Sequence, residues 1–399
     1  MKKTWLLGFG FFSISIGWAL YNGFVPFFLD DYLTSTALIG FLMTLDNYVA
    51  LFLQPYIGHM SDRTNTKFGK RMPFLLVGIP VAALFFALIP FHSQLLTLII
   101  FMVCMNLSMA IFRSPTIALM PDITVEHDRA KANGIINFMG GCGAILAFSI
   151  GSFLFKMNET LPFLAVAAIF LIALWIIFKN INEKRDAIEY TVQTTTNKIP
   201  YMKELNPATI FLLLAIFFWF IAIQGMEALF TLYGVKELGL TESSSAFSLA
   251  FFSLSFVLSS IPCGHYGAKY GMKKMIMIGI VGLIGVFLVL NWVKTVLALR
   301  LILLIGGVFW ACININAYPF IVKTGSEQSF GTRTGLYYLV SSLSAIISPP
   351  MLGLLIDYWG FGILFFAAAI SMLIALVFMT IVKSDSEMPH HTNFLNIEG

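Results

Sequence analysis

From Gln54 to Phe74 the chain reads Gln-Pro-Tyr-Ile-Gly-His-Met-Ser-Asp-Arg-Thr-Asn-Thr-Lys-Phe-Gly-Lys-Arg-Met-Pro-Phe. An apolar run of helix length stands on each side of it. The stretch is therefore a charged turn between two candidate membrane spans. Gly58 and Gly69 punctuate it, Asp62 is its one carboxylate, and Arg63, Lys67, Lys70 and Arg71 supply cations.

Composition extends this reading to the whole chain. Of 399 residues, 58% are hydrophobic and only 11% charged, against about 25% charged in soluble domains. Apolar stretches long enough to cross about 30 Å of hydrocarbon fall at about 5–29, 36–60, 72–91, 95–120, 132–155, 160–179, 207–233, 243–265, 272–293, 295–322, 334–357 and 361–382. The expectation is an all-α membrane protein with twelve transmembrane helices. The first run follows Met1-Lys2-Lys3 but ends at no small-residue cleavage site, so it is read as an uncleaved first span.

Lys and Arg set the orientation. Apart from Lys156, Lys236, Lys294, Arg113 and Arg300, the other nineteen of the 24 lie in segments that share one side. This bias predicts a multi-pass plasma-membrane protein with both termini cytoplasmic. The net charge of +4 is then a consequence of topology and gives no reason to expect nucleic acid. Cys104, Cys142, Cys263 and Cys312 fall within spans without metal-ligand spacing, and are expected to be core residues.

The polar stretch 180–206 divides six spans from six. The expected organisation is an N-terminal half (1–179), a cytoplasmic linker (180–206), a C-terminal half (207–383) and a cytoplasmic tail (384–399). The halves repeat one another: Pro55, Gly58, His59, Gly69, Lys70 and Arg71 around the end of span 2 are answered by Pro262, Gly264, His265, Gly271, Lys273 and Lys274 around the end of span 8. Pro115 is answered by Pro319, while Ala268 stands where Asp62 would repeat. Paired halves place a substrate site at the midplane between them. Gly134, Gly140, Gly141, Gly143 and Gly151 in span 5 favour close helix packing.

The turn resembles the loop signature of the major facilitator superfamily, G-x-x-x-D-R followed by G-R/K-R. With Gln54-Pro55 before it, Phe68 within it and Pro73-Phe74 after it, it is similar to the form found in sucrose transporters and the glycoside-pentoside-hexuronide cation symporters. Gly17-Trp18-Ala19-Leu20 in span 1 and Ser114-Pro115, Ala118-Leu119, Asp122, Arg129 and Ala132-Asn133 around span 4 extend the likeness. It implies alternating access and proton symport of a disaccharide such as sucrose or maltose, by a chain acting as a monomer. Two coupling devices of that family are not repeated. Asn106 stands where proton-coupled sucrose transporters carry a span-4 Asp, and Ala50 and Gln54 stand where melibiose-type symporters carry a carboxylate pair.

A charge at mid-bilayer costs roughly 2.5–3.5 kcal/mol on insertion scales, so an ionisable residue there is a functional candidate. Asp46 in span 2 is the first candidate for proton coupling and Glu227 in span 7 the second; Arg113 in span 4 is a counter-ion. Alternatively, Asp46 is permanently ionised, paired with Arg113 or hydrogen-bonded to Asn106, or it bonds substrate directly, and Glu227 serves an outer gate. For substrate contacts the candidates are Trp18, Tyr21, Asn22, Asn47, Asn106, Gln224, Asn314, Asn316 and Tyr337, since a neutral sugar needs amides and an aromatic face. Gly58, Asp62, Arg63, Gly69, Lys70, Arg71, Arg113, Asp122, Arg129 and Arg333 are assigned to an inner charge network, with Arg71, Asp122 and Arg129 expected to meet Lys323, Glu327 and Arg333 across the halves. No metal or cofactor is expected, the driving ion being a proton. A proton-driven exporter of amphipathic compounds and a transporter-like receptor are the rival readings. The absence of a Walker loop or an H-E-x-x-H motif argues against ATP drive and enzymatic chemistry.

Overall fold

The computed structural model describes residues 2–125, 128–186, 207–323 and 330–382. Among them are 12 helices long and apolar enough to cross a membrane. Spans 1 to 6 are Lys3–Asp30, Thr36–Arg63, Met72–Phe91, Leu95–Asp122, Lys131–Met157 and Leu161–Asn180; spans 7 to 12 are Pro207–Lys236, Glu242–Tyr270, Met272–Leu290, Val296–Lys323, Thr332–Trp359 and Ile363–Ile381. The described residues contain no strand, only an isolated bridge between Thr66 and Gly69. Helices are the form an isolated segment must take in hydrocarbon, because every backbone group finds its partner within the segment.

The two halves pack alike. In the first, span 1 lies against spans 5 and 6, span 4 against spans 2 and 3, and span 3 against span 6. In the second, span 7 lies against spans 11 and 12, span 10 against spans 8 and 9, and span 9 against span 12. Adding six to each number converts one pattern into the other. The halves meet along spans 2 and 11, spans 5 and 8, and spans 1 and 7, again pairs that the same exchange interconverts.

Close backbone approach holds the first seam. A Cβ on Gly40 would run into the Pro349 carbonyl, and one on Gly353 into the backbone of Thr36 and Ala37. Only glycine permits these contacts between spans 2 and 11.

Span 2 departs from a continuous helix. It is made of two pieces, Thr36–Met43 and Leu45–Arg63, broken at the buried Thr44. The Thr44 hydroxyl donates back to the Phe41 carbonyl (2.8 Å), and Asp46 falls in the first turn of the second piece. A helix start near mid-span leaves backbone N–H groups and a positive dipole end for an anion to face.

The turn between spans 2 and 3 is built around Arg71, whose side chain is nearly buried. Its guanidinium bonds Asp62 and Ser61 and donates from Nε to Asp122 at 3.0 Å. Burial works against its charge, but the hydrogen bonds and charges of Asp122 and Asp62 win, raising the Arg71 pKa above the ordinary value. Lys70 lies 3.8 Å from Asp122. The buried Glu183, beyond span 6, accepts from the backbone N–H groups of Lys70, Arg71 and Met72 at 2.9–3.0 Å, and so caps span 3. Gly69 has φ +113°, and a Cβ there would strike Glu183. Both conditions require glycine. Next to this cap Asp186 accepts from Lys3 (2.6 Å) and Arg185 (3.0 Å); burial opposes its charge, yet these bonds hold its pKa below the usual carboxylate range.

Candidate functional site

Between the halves lies a polar cavity of about 210 Å³, walled by spans 1, 2, 4, 7 and 11. Trp18, Asn22, Asp46, Asn47, Arg113, Gln224 and Glu227 line it, with Met43, Ala228, Ala345 and Pro349 completing the wall. Although these residues sit well inside the spans, Asp46, Asn47, Arg113, Gln224 and Glu227 all keep partial exposure. The cavity is thus accessible space within the bundle.

Each charged group has a defined setting. Asp46 accepts from Asn47 Nδ2 at 2.9 Å and sits in the first turn of the helix piece that begins after the break at Thr44. It feels the charges of Arg113 and Glu227, but among the described residues Asp46 and Arg113 form no ion pair within 4.0 Å. The permanent pairing considered from sequence is therefore absent here. Glu227 faces the Asn22 amide across the seam between spans 1 and 7. One cation thus sits opposite two carboxylates, with amides from both halves around them.

Several expected substrate contacts lie elsewhere. Asn316 is buried between spans 8 and 10, donating to the carbonyls of Cys312 (2.9 Å) and Cys263 (3.3 Å). It is a helix clamp, placed where Cys263 and Cys312 bring their sulfurs to 3.3 Å. Tyr337 packs in an aromatic cluster with Phe220, Tyr318 and Tyr338. Asn314 is half-buried and lines neither this cavity nor the apolar one beside it. Tyr21 and Asn106 are buried, do not line the cavity and face each other. Sequence reasoning missed the small residues Ala228, Ala345 and Pro349, whose only signal was their depth.

Of the expected inner network, the described part of the loop cluster does not reach across the halves. Arg71, Asp62 and Asp122 all belong to the first half, and Glu183 follows span 6 at the start of the linker. Arg333 is buried in the second half and reaches the Ile321 carbonyl at 3.4 Å. Arg63 and Lys323 are exposed. The side chain of Arg129 and the whole of Glu327 lie outside the described residues. Gly58 sits beside Ser114, and its carbonyl accepts from Ser61 at 2.8 Å.

Polar contacts between the halves occur at the face opposite the loop. Asp357 at the end of span 11 accepts from the Ser35 hydroxyl (2.6 Å) and from the backbone N–H groups of Thr36 (2.6 Å) and Ala37 (3.1 Å). It caps the first turn of span 2 from the other half, while Ser35 caps the same turn locally. Lys236 pairs with Asp30 at 2.6 Å, and Ser243 donates to the Ser152 carbonyl at 2.6 Å.

Two helical halves related by a repeat, a polar cavity at their seam and closure on one face define a membrane transporter. The family model of the Major Facilitator Superfamily matches residues 7–349 and 235–394, and the chain belongs to that superfamily. It is 23% identical to the tetracycline resistance protein, class H, of Pasteurella multocida over 385 residues, covering 91% of this chain and 92% of that protein. It is 25% identical to sucrose transport protein SUC3 of Arabidopsis thaliana over 178 residues, 39% of this chain and 30% of that one. The crystal structure of a mutant of the nucleoside transporter NupG superimposes with a TM-score of 0.77 at 14% identity, covering 96% of this chain and 99% of that one, a likeness of fold.

Proposed function

We propose that this chain is a proton-coupled symporter of a small glycoside, a disaccharide of the sucrose or maltose type, and that Asp46 is the coupling carboxylate. The observation that carries this reading is the make-up of the polar cavity. Amides from Asn22, Asn47 and Gln224 surround the charged set Asp46, Arg113 and Glu227, with Trp18 as an aromatic wall. Amides and carboxylates match the donor and acceptor pattern of sugar hydroxyls, and the indole offers a face for the ring.

Coupling follows from the setting of Asp46. With its proton lost, the carboxylate compensates Arg113. With the proton gained, Arg113 faces a neutral acid, and its donors turn to substrate hydroxyls. A proton and a sugar therefore favour each other in one binding state, the thermodynamic basis of symport. Glu227 is the second titratable group of the same cavity. The loop face is the cytoplasmic one, in keeping with its cations.

A second reading, proton antiport exporting amphipathic compounds, draws on the likeness to a tetracycline resistance protein along most of the chain. Uptake of radiolabelled sucrose and maltose into vesicles separates the two. Uptake driven by an inward proton gradient and lost in Asp46→Asn supports symport. Gradient-driven uptake that survives Asp46→Asn moves coupling to Glu227. No sugar uptake under any gradient removes the glycoside.

A further inference from the structure

A second cavity, of about 190 Å³, adjoins the polar one, and Glu227 lines both. Its character is different. Phe148 of span 5, Ile223 and Met226 of span 7, Phe252 and Phe256 of span 8 and Trp310 of span 10 form most of its wall. Apart from Glu227, Ser253 is the one hydroxyl in the lining. The walls come from both halves, so this chamber, like the polar one, sits at the seam that alternating access must rework.

Ligand sites run from about 300 to 1,000 Å³. Each chamber alone falls below that range, and the two together fall inside it. Water gains little in the second chamber, since a stable site for it needs two to four polar partners. An apolar group gains from leaving water there.

We propose, building on the glycoside reading above, that the preferred substrate has two parts: a sugar held in the polar chamber and an apolar aglycone held in the aromatic one. Glu227 stands at the junction, where its carboxylate accepts from a hydroxyl next to the glycosidic bond. Trp310 is held in place by an edge-to-face contact with Phe220 (centroids 5.7 Å apart) and forms one end of the apolar wall. Ala144 lines the same chamber from span 5 and leaves the room the aglycone fills.

The test measures competition for labelled maltose by the protein in nanodiscs, using methyl-to-hexyl and phenyl glucosides beside the free sugars. The expected result is tighter binding by about fourfold per added methylene until the chamber is full. Phenyl glucoside should bind at least about tenfold tighter than methyl glucoside, for the same burial of apolar surface. Ala144→Trp should remove this gain while leaving methyl glucoside within about twofold of wild type. Should that variant fail to fold, Trp310→Ala provides the converse, moving the optimum to longer alkyl chains. Equal affinity of methyl and phenyl glucosides in the wild type overturns the two-part substrate and leaves the glycoside reading intact. Binding of an aromatic cation such as tetraphenylphosphonium with no binding of any sugar or glycoside overturns both.

Discussion

At the face opposite the loop, Asp357 of the second half caps span 2 of the first, and Asp30 pairs with Lys236 across the same seam. At the loop face, the described bonds of Arg71, Asp62 and Asp122 stay within the first half and the start of the linker, where Glu183 lies. Among the described residues no side-chain hydrogen bond or ion pair joins the halves there. The difference assigns separate jobs to two sets of charges that look alike in sequence. The loop cluster builds one half and orients spans 2, 3 and 4. The Asp357 cap and the Lys236 pair hold the halves together on the far side. Opening that far side means breaking cross-half bonds.

Removal of Arg71 should have the largest effect, and that effect should be on folding. Arg71→Ala removes the closest partner of Asp122 and leaves it only Lys70, 3.8 Å away, in a largely buried site. The expected cost is roughly 3 kcal/mol, the lower end for breaking a buried pair, because Asp62 is largely exposed. Thermal unfolding in detergent measures it. Lys273→Ala in the second half, whose ammonium donates to the Val382 carbonyl, should shift the midpoint much less. Equal shifts would break the contrast between the halves.

A smaller effect is expected at Lys236. The pair with Asp30 is partly exposed (side chains 45% and 26% accessible), so Lys236→Ala should change the balance between open and closed far faces by less than about 1 kcal/mol. Labelling of a cavity cysteine at Asn22 from the far face, in a background lacking the four native cysteines, reads that balance. A change of more than about tenfold would mean that this pair carries the closure.

How much of this was legible follows from what a membrane sequence encodes. Twelve spans, their order and the repeat of halves were readable because hydrocarbon demands long apolar helices. Asp46, Arg113 and Glu227 stood out because charge is rare at that depth, and the structure gathers them in one cavity. Depth along a helix was legible, but rotation about it was not. Asn316 has the right depth and faces Cys263, away from the cavity. In a soluble helix polar residues mark the outer face. Here both lipid and core are apolar, so that marker is lost. Glu183 and Asp357 were passed over because a carboxylate at the end of a span reads as a solvated flank. Only tertiary packing turns each into the cap of a distant helix.

In this geometry the far face is shut by the Asp357 cap between the halves, which must yield for the cavity to change sides. The most direct measurement places a cysteine at Gln224 in the cysteine-free background. An impermeant maleimide is then applied from each side of oriented vesicles, with and without Asp357→Ala. Loss of the carboxylate removes three accepted hydrogen bonds. This is worth about 2 kcal/mol, or roughly 30-fold in the closed-to-open ratio. Labelling from the loop face in the parent, joined in Asp357→Ala by far-face labelling about 30-fold faster, is the result expected. Far-face labelling unchanged by Asp357→Ala would contradict the account.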